Sequence, residues 1–178
     1  EGKTIAEISK TLNVPPLEFV LDLLYEEDCK VSVIFFNMSE ENLARILKWD
    51  SVMIGSDSSL RSLEGVLNYG KPHPRGYGTF SRVIRKYVNE TSILSIEEAI
   101  YKMTGFPAQT LGLKDRGILK EGFFADITIF DQETIAEQAT FTSPHNYSTG
   151  IKHVLVNGKL TINDGKHESV TNGAILKK

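Results

Sequence analysis

The chain has 178 residues, 40% of them apolar and 24% charged, and carries a net charge of −3. This balance supplies one sizeable core or two small ones and, with no Lys/Arg cluster, gives no electrostatic reason to expect nucleic acid. No apolar run reaches the roughly 18 residues that span a bilayer, and the first residues resemble neither a signal nor a transit peptide, so no membrane partner is expected. The single cysteine, Cys29, leaves no internal disulfide to form and suits a reducing compartment, which makes a cytoplasmic protein the expectation. Cys29 itself reads as a small packing residue.

Residues 4–9 can form a short helix. Pro15 and Pro16 then punctuate the chain, and Pro16 suits the first turn of a second helix. Its apolar positions Leu17, Val20, Leu21 and Leu24 fall on one face. The run 31–36 is nearly all β-branched or aromatic, the pattern of a strand covered on both faces. Ser39 can cap a third helix, where Glu40 and Glu41 favour the N-terminal dipole and Leu43, Ile46 and Leu47 supply the buried stripe. A second apolar run, 52–54, follows and ends at Gly55-Ser56-Asp57. The expectation is helix, strand, helix, strand, with the two strands parallel.

From Asp57 to Thr79 no period holds, and a loop of about twenty residues in a compact domain is commonly a lid or binding loop. Helical spacing returns at Phe80, Val83, Ile84, Tyr87 and Val88. Ser95 and Glu98 then form a capping box for a helix that buries Ile96, Ala99, Ile100 and Met103. After Gly112 the pattern becomes β, with strands over 125–131 and 151–156. Asn157-Gly158 marks a tight hairpin, and Asp164-Gly165 offers a second turn. A boundary is therefore expected near Leu111, between an α/β part (residues 1–110) and a small all-β part (residues 111–178).

Asp57 follows the apolar run on its carboxyl side, where parallel α/β folds display their reactive groups. A carboxylate there can ligate a metal or accept a proton from a metal-bound water. It can equally cap the following turn, as Asp and Ser do through nearby backbone N–H groups.

Gly55-Ser56-Asp57, with Lys71-Pro72-His73-Pro74-Arg75 and Tyr77-Gly78-Thr79-Phe80 after it, resembles the end of the barrel in N-acyl-D-amino-acid deacylases (D-aminoacylases) of the amidohydrolase superfamily. The segments Lys102-Met103-Thr104, Pro107-Ala108, Leu111-Gly112-Leu113, Asp115-Arg116-Gly117, Ala125-Asp126 and 150–158 are similar to the tail of the same enzymes. The resemblance implies an α/β fold: the last two β/α units of a (β/α)8 barrel, followed by a small β-sandwich. It implies a zinc enzyme that hydrolyses the amide of small-molecule N-acyl-D-amino acids. In it Asp57 is both the catalytic residue and a metal ligand, and Arg75 binds the substrate α-carboxylate. Arg suits that task because its planar fork matches a carboxylate.

The four histidines, His73, His145, His153 and His167, form no His-x-His pair and none ends an apolar strand, so none is expected to bind the catalytic metal. A complete barrel takes about 250 residues. The expectation is a carboxyl-terminal portion, inactive by itself, that needs the amino-terminal part of the barrel as its partner. Two alternatives stand beside it: a non-catalytic scaffold or interaction module, and a fragment of a cyclic-amide hydrolase of the dihydroorotase or hydantoinase type.

Overall fold

A computed structural model describes residues 2–176, and the chain divides into two compact units, residues 1–37 and 38–178. The first unit is a pair of helices, α1 (Ile5–Leu12) and α2 (Pro16–Glu26). Thr4 and Glu7 close α1 with a capping box, and Asn13 ends it in the left-handed region at φ 55°. Pro16 stands at the start of α2, where its missing N–H costs nothing. The predicted face is only half used: Val20 and Leu24 are partly buried, while Leu17 and Leu21 stay exposed.

The run 31–36 forms no strand; Val33, Phe35 and Phe36 face solvent. The run 52–54 likewise joins no sheet, so the expected parallel pair is absent among the described residues. An apolar run becomes a strand only beside another strand that takes up its N–H and C=O groups. Cys29, expected to pack, is exposed in a turn at φ 58°.

The second unit begins with α3 (Glu40–Leu47), capped by the Ser39 hydroxyl. Residues 52–56 then alternate, with Val52, Ile54 and Ser56 turned inward and Met53 and Gly55 outward, before the chain turns at Asp57. Two contacts hold this segment. The Ile54 N–H donates to Lys102 O at 3.1 Å. The buried Lys102 ammonium donates to the carbonyls of Trp49 and Val52.

Helix α4 (Arg75–Arg82) runs straight into a π-helical segment, Val83–Glu90, followed by α5 (Ile96–Met103) and α6 (Gly105–Leu111). The capping box predicted for α5 is present, with Ser95 and Glu98 bonded reciprocally. The core gathers Leu47, Val83, Tyr87, Val88, Leu94 and Ala99, with Leu43, Ile54, Ile93, Ile96 and Met103 packed around them. Removal of this apolar surface from water is the main favourable contribution to folding.

One antiparallel sheet follows, in the order β1 (Ile127–Phe130), β2 (Ile151–Val156), β3 (Lys159–Asn163), β4 (Lys166–His167). Asn157 and Gly158 both take positive φ, 50° and 76°, as the primed hairpin turn requires, and Asp164-Gly165 repeats the device at 48° and 75°. Where a sandwich was expected, the described residues form this single sheet and, apart from it, an isolated bridge between Ala136 and Thr149. No helix among the described residues is long and apolar enough to cross a membrane.

Candidate active site

The two residues singled out in the sequence meet. Arg75 Nη1 lies 3.0 Å from Asp57 Oδ2, across seventeen intervening residues. Asp57 is delivered by the extended segment that Lys102 fixes, and its side chain is 89% exposed in the left-handed region at φ 49°. Arg75 opens α4, so the predicted loop, expected to reach Thr79, ends at Pro74 instead. The reason is Pro74, which is preset for a helix start and leaves the Gly76 and Tyr77 N–H groups to His73 and Pro74 carbonyls.

Glycine makes the close packing around Arg75 possible. A Cβ at Gly76 would sit 2.9 Å from Ser58 Oγ, and one at Gly78 would sit 2.6 Å from Glu137 Cβ. The beginning of α4 is thus pressed between the segment after Asp57 and the segment linking β1 to β2. Arg61, whose Cγ would lie 3.3 Å from a Cβ at position 76, stacks its guanidinium over Tyr69 at 4.5 Å.

His73 bonds the backbone of Arg75. Its Nδ1 accepts the Arg75 N–H at 3.0 Å, and its ring meets Phe141 edge-on at 5.0 Å. Burial, and then the Arg75 charge, lower its pKa below the ordinary histidine value. Both effects favour the neutral ring that this hydrogen bond needs.

A second set of contacts had no signal in the sequence. Tyr77 Oη donates to Ser62 O at 2.8 Å and also lies 3.0 Å from His145 Nδ1. His145 Nε2 donates to Gly70 O at 2.8 Å, and Leu63 N–H donates to Tyr147 Oη at 3.2 Å. Ser148 bonds both Ser81 and the Tyr77 carbonyl. Only a pairing of segments some seventy residues apart could have revealed them. Further along the helix, Glu137 accepts from Arg82 and Arg85, and Glu40 accepts from Arg82, Tyr87 and Lys86.

Among the described residues no three His, Cys, Asp or Glu side chains converge into a possible metal site. Asp57 is one exposed carboxylate already paired to a cation, so these residues alone do not make a zinc centre. His153 and His167 lie on the sheet, and His145 ties two loops.

These features, an aspartate after an apolar run and a helix-opening arginine beside it, lie within the part of the chain that carries the family signal: the chain belongs to the amidohydrolase family, whose sequence model matches residues 50–162. The N-acyl-D-glutamate deacylase of Alcaligenes xylosoxydans xylosoxydans is 43% identical over 130 residues, covering 73% of this chain and 25% of that enzyme. A solved D-aminoacylase with a binuclear metal centre superposes with a TM-score of 0.83 at 32% identity, covering 99% of this chain and 35% of that one. An N-acyl-D-glutamate deacylase from Bordetella bronchiseptica, solved with zinc and a phosphonate inhibitor, gives 0.73 at 32% identity over 96% of this chain and 34% of that one. The chain thus spans about a quarter of the length of the curated relative.

Proposed function

We propose that this chain forms the carboxyl-terminal part of a zinc-dependent amidohydrolase that cleaves N-acyl-D-amino acids to a D-amino acid and a carboxylate. Residues 1–110 would complete a (β/α)8 barrel and residues 111–178 a β-sandwich beside it. In this reading the runs 31–36 and 52–54 become strands when the amino-terminal part of the barrel supplies their neighbours. The zinc proposed for the assembled enzyme draws on this chain for Asp57 alone.

The observation that carries the reading is the 3.0 Å pairing of Arg75 with Asp57. The guanidinium that would grip the substrate α-carboxylate stands beside the carboxylate that would handle the proton. Water adds to the acyl carbon, Asp57 takes its proton, and the C–N bond breaks as Asp57 delivers that proton to the leaving nitrogen. Arg75 exchanges Asp57 for the substrate carboxylate, which frees Asp57 to act as the base. The two relatives that act on N-acyl-D-glutamate support this substrate class.

The test is hydrolysis by the full-length enzyme. Asp57→Asn removes the proton acceptor at an exposed site, so folding should be unchanged while kcat falls by roughly 10²–10⁴-fold. Arg75→Lys replaces a fork by a point charge and should lower kcat/KM for N-acetyl-D-amino acids by roughly ten- to a hundredfold. The loss should shrink on an amide without the α-carboxylate. Equal losses on both substrates would remove Arg75 as the anchor. Turnover of a cyclic amide in place of N-acyl-D-amino acids would favour the dihydroorotase or hydantoinase type, and no turnover at all would favour a scaffold.

A further inference from the structure

Residues 57–74 carry little regular structure besides a single turn at Gly65–Leu67, yet they deliver Asp57 and lead into Arg75. Such a segment keeps one shape only if other parts of the fold bind it. The binding groups come from the link between β1 and β2. Pro144 is fully buried there, and next to it the half-buried His145 reaches two points at once. Its Nε2–H donates to Gly70 O at 2.8 Å, near the far end of the segment. Its Nδ1 lies 3.0 Å from the Tyr77 hydroxyl, two residues past Arg75 on α4. That hydroxyl also reaches Ser62 O at 2.8 Å, near the beginning of the segment. His145 thus ties the far part of the segment, and the Tyr77 hydroxyl beside it the near part, to the first turn of the helix that Arg75 opens. The ring also packs edge-on against Tyr77, with centroids 5.7 Å apart.

We infer that His145 is the positioning residue for Arg75: it holds the 57–74 segment and the start of α4 in one register through Gly70, Tyr77 and Ser62, and so sets the grip on the substrate carboxylate. His145 reaches neither Asp57 nor Arg75 in its own hydrogen bonds, so its effect on the reaction passes through the backbone it fixes. The link to the substrate rests on the proposed role of Arg75; the ordering of the segment does not.

The variant is His145→Phe, which keeps the ring against Tyr77 and removes both nitrogens. In this chain, amide hydrogen exchange over residues 62–71 and the first turn of α4 should quicken by about tenfold, from the loss of the bond to Gly70 and of the Nδ1 contact that orients the Tyr77 hydroxyl. Exchange in β2 and β3 should be unchanged. Unaltered exchange over 62–71, or an equal acceleration of the sheet, would overturn the inference. In the full-length enzyme, KM for an N-acetyl-D-amino acid should rise by about tenfold with kcat nearly constant, and much less for an amide lacking the α-carboxylate. His145→Gln, which restores a donor and an acceptor, should recover part of the loss. If Arg75→Lys is selective for the carboxylate substrate and His145→Phe is not, the positioning role falls and the anchor stands. If Arg75→Lys shows no selectivity, the anchor falls, and the exchange result alone decides what His145 holds.

Discussion

Glu137 shows how a buried charge in this fold is compensated. Its carboxylate is only 11% exposed and is gripped by Arg85 and Arg82, whose side chains are 31% and 38% exposed. Burial by itself would raise its pKa, but the hydrogen bonds from Arg85 and Arg82 outweigh burial and hold it below the ordinary glutamate value. Glu40 is lowered as well, chiefly by its bond from Lys86. A lowered folded-state pKa contributes stability above the unfolded value, about 4.3 for glutamate, and that stability is lost as pH falls through the folded value. Glu137→Gln should therefore cost about 1–2 kcal/mol at pH 7, less than for a fully buried pair because both arginines are partly solvated. It should also flatten the acid limb of a Tm-against-pH curve below about pH 5; an unchanged acid limb would mean that Glu137 is protonated with little consequence. None of this was readable from the sequence, since Arg82, Arg85 and Glu137 are ordinary charged residues until the fold brings them together. The pairing of Asp57 with Arg75 brings together two residues that the sequence marks locally, the first after an apolar run and the second in Pro-His-Pro-Arg.

Elements written by local rules came out where the residues placed them. The capping box at Ser95, the cap at Ser39 and the Asn157-Gly158 turn each depend on neighbours within four positions. The runs 31–36 and 52–54 depend on strands elsewhere, and their apolar character records a need for cover without supplying it. Helix α4 adds a case where a local rule has the wrong sign. Gly→Ala inside a helix ordinarily stabilises by up to about 1 kcal/mol. At Gly78 the new Cβ would meet Glu137 Cβ at 2.6 Å, and Glu137 is held by two arginines and cannot easily retreat. Gly78→Ala should lower stability by about 1–3 kcal/mol, the usual cost of overpacking. Gly55→Ala, with nothing within 4 Å of its Cβ and no left-handed φ, serves as the control in the same thermal melt and should be near neutral. A stabilised Gly78→Ala would show that the segment around Glu137 yields readily.

At the scale of the whole molecule, the buried apolar residues Leu47, Val83, Ile84, Tyr87, Val88, Leu94, Ala99, Ala108, Ile135 and Ala139 all belong to the unit that spans residues 38–178. Helix α2 buries no residue fully, and Leu12, Leu17, Leu21, Tyr25, Phe35 and Phe36 of the first unit stay exposed. A helix pair with so little buried apolar surface contributes little to a cooperative transition, since short helices in water are marginal without packing. A chain starting at Met38 should therefore keep the main unfolding transition of the full chain, within a few degrees and with a similar slope in denaturant. Limited digestion by a protease that cleaves after aromatic residues should cut first at Phe35 or Phe36, which lie exposed in the stretch without regular structure at the end of the first unit. A shortened chain that melts far earlier, or broadens into a non-cooperative transition, would show that the first unit supports the core holding Asp57 and Arg75.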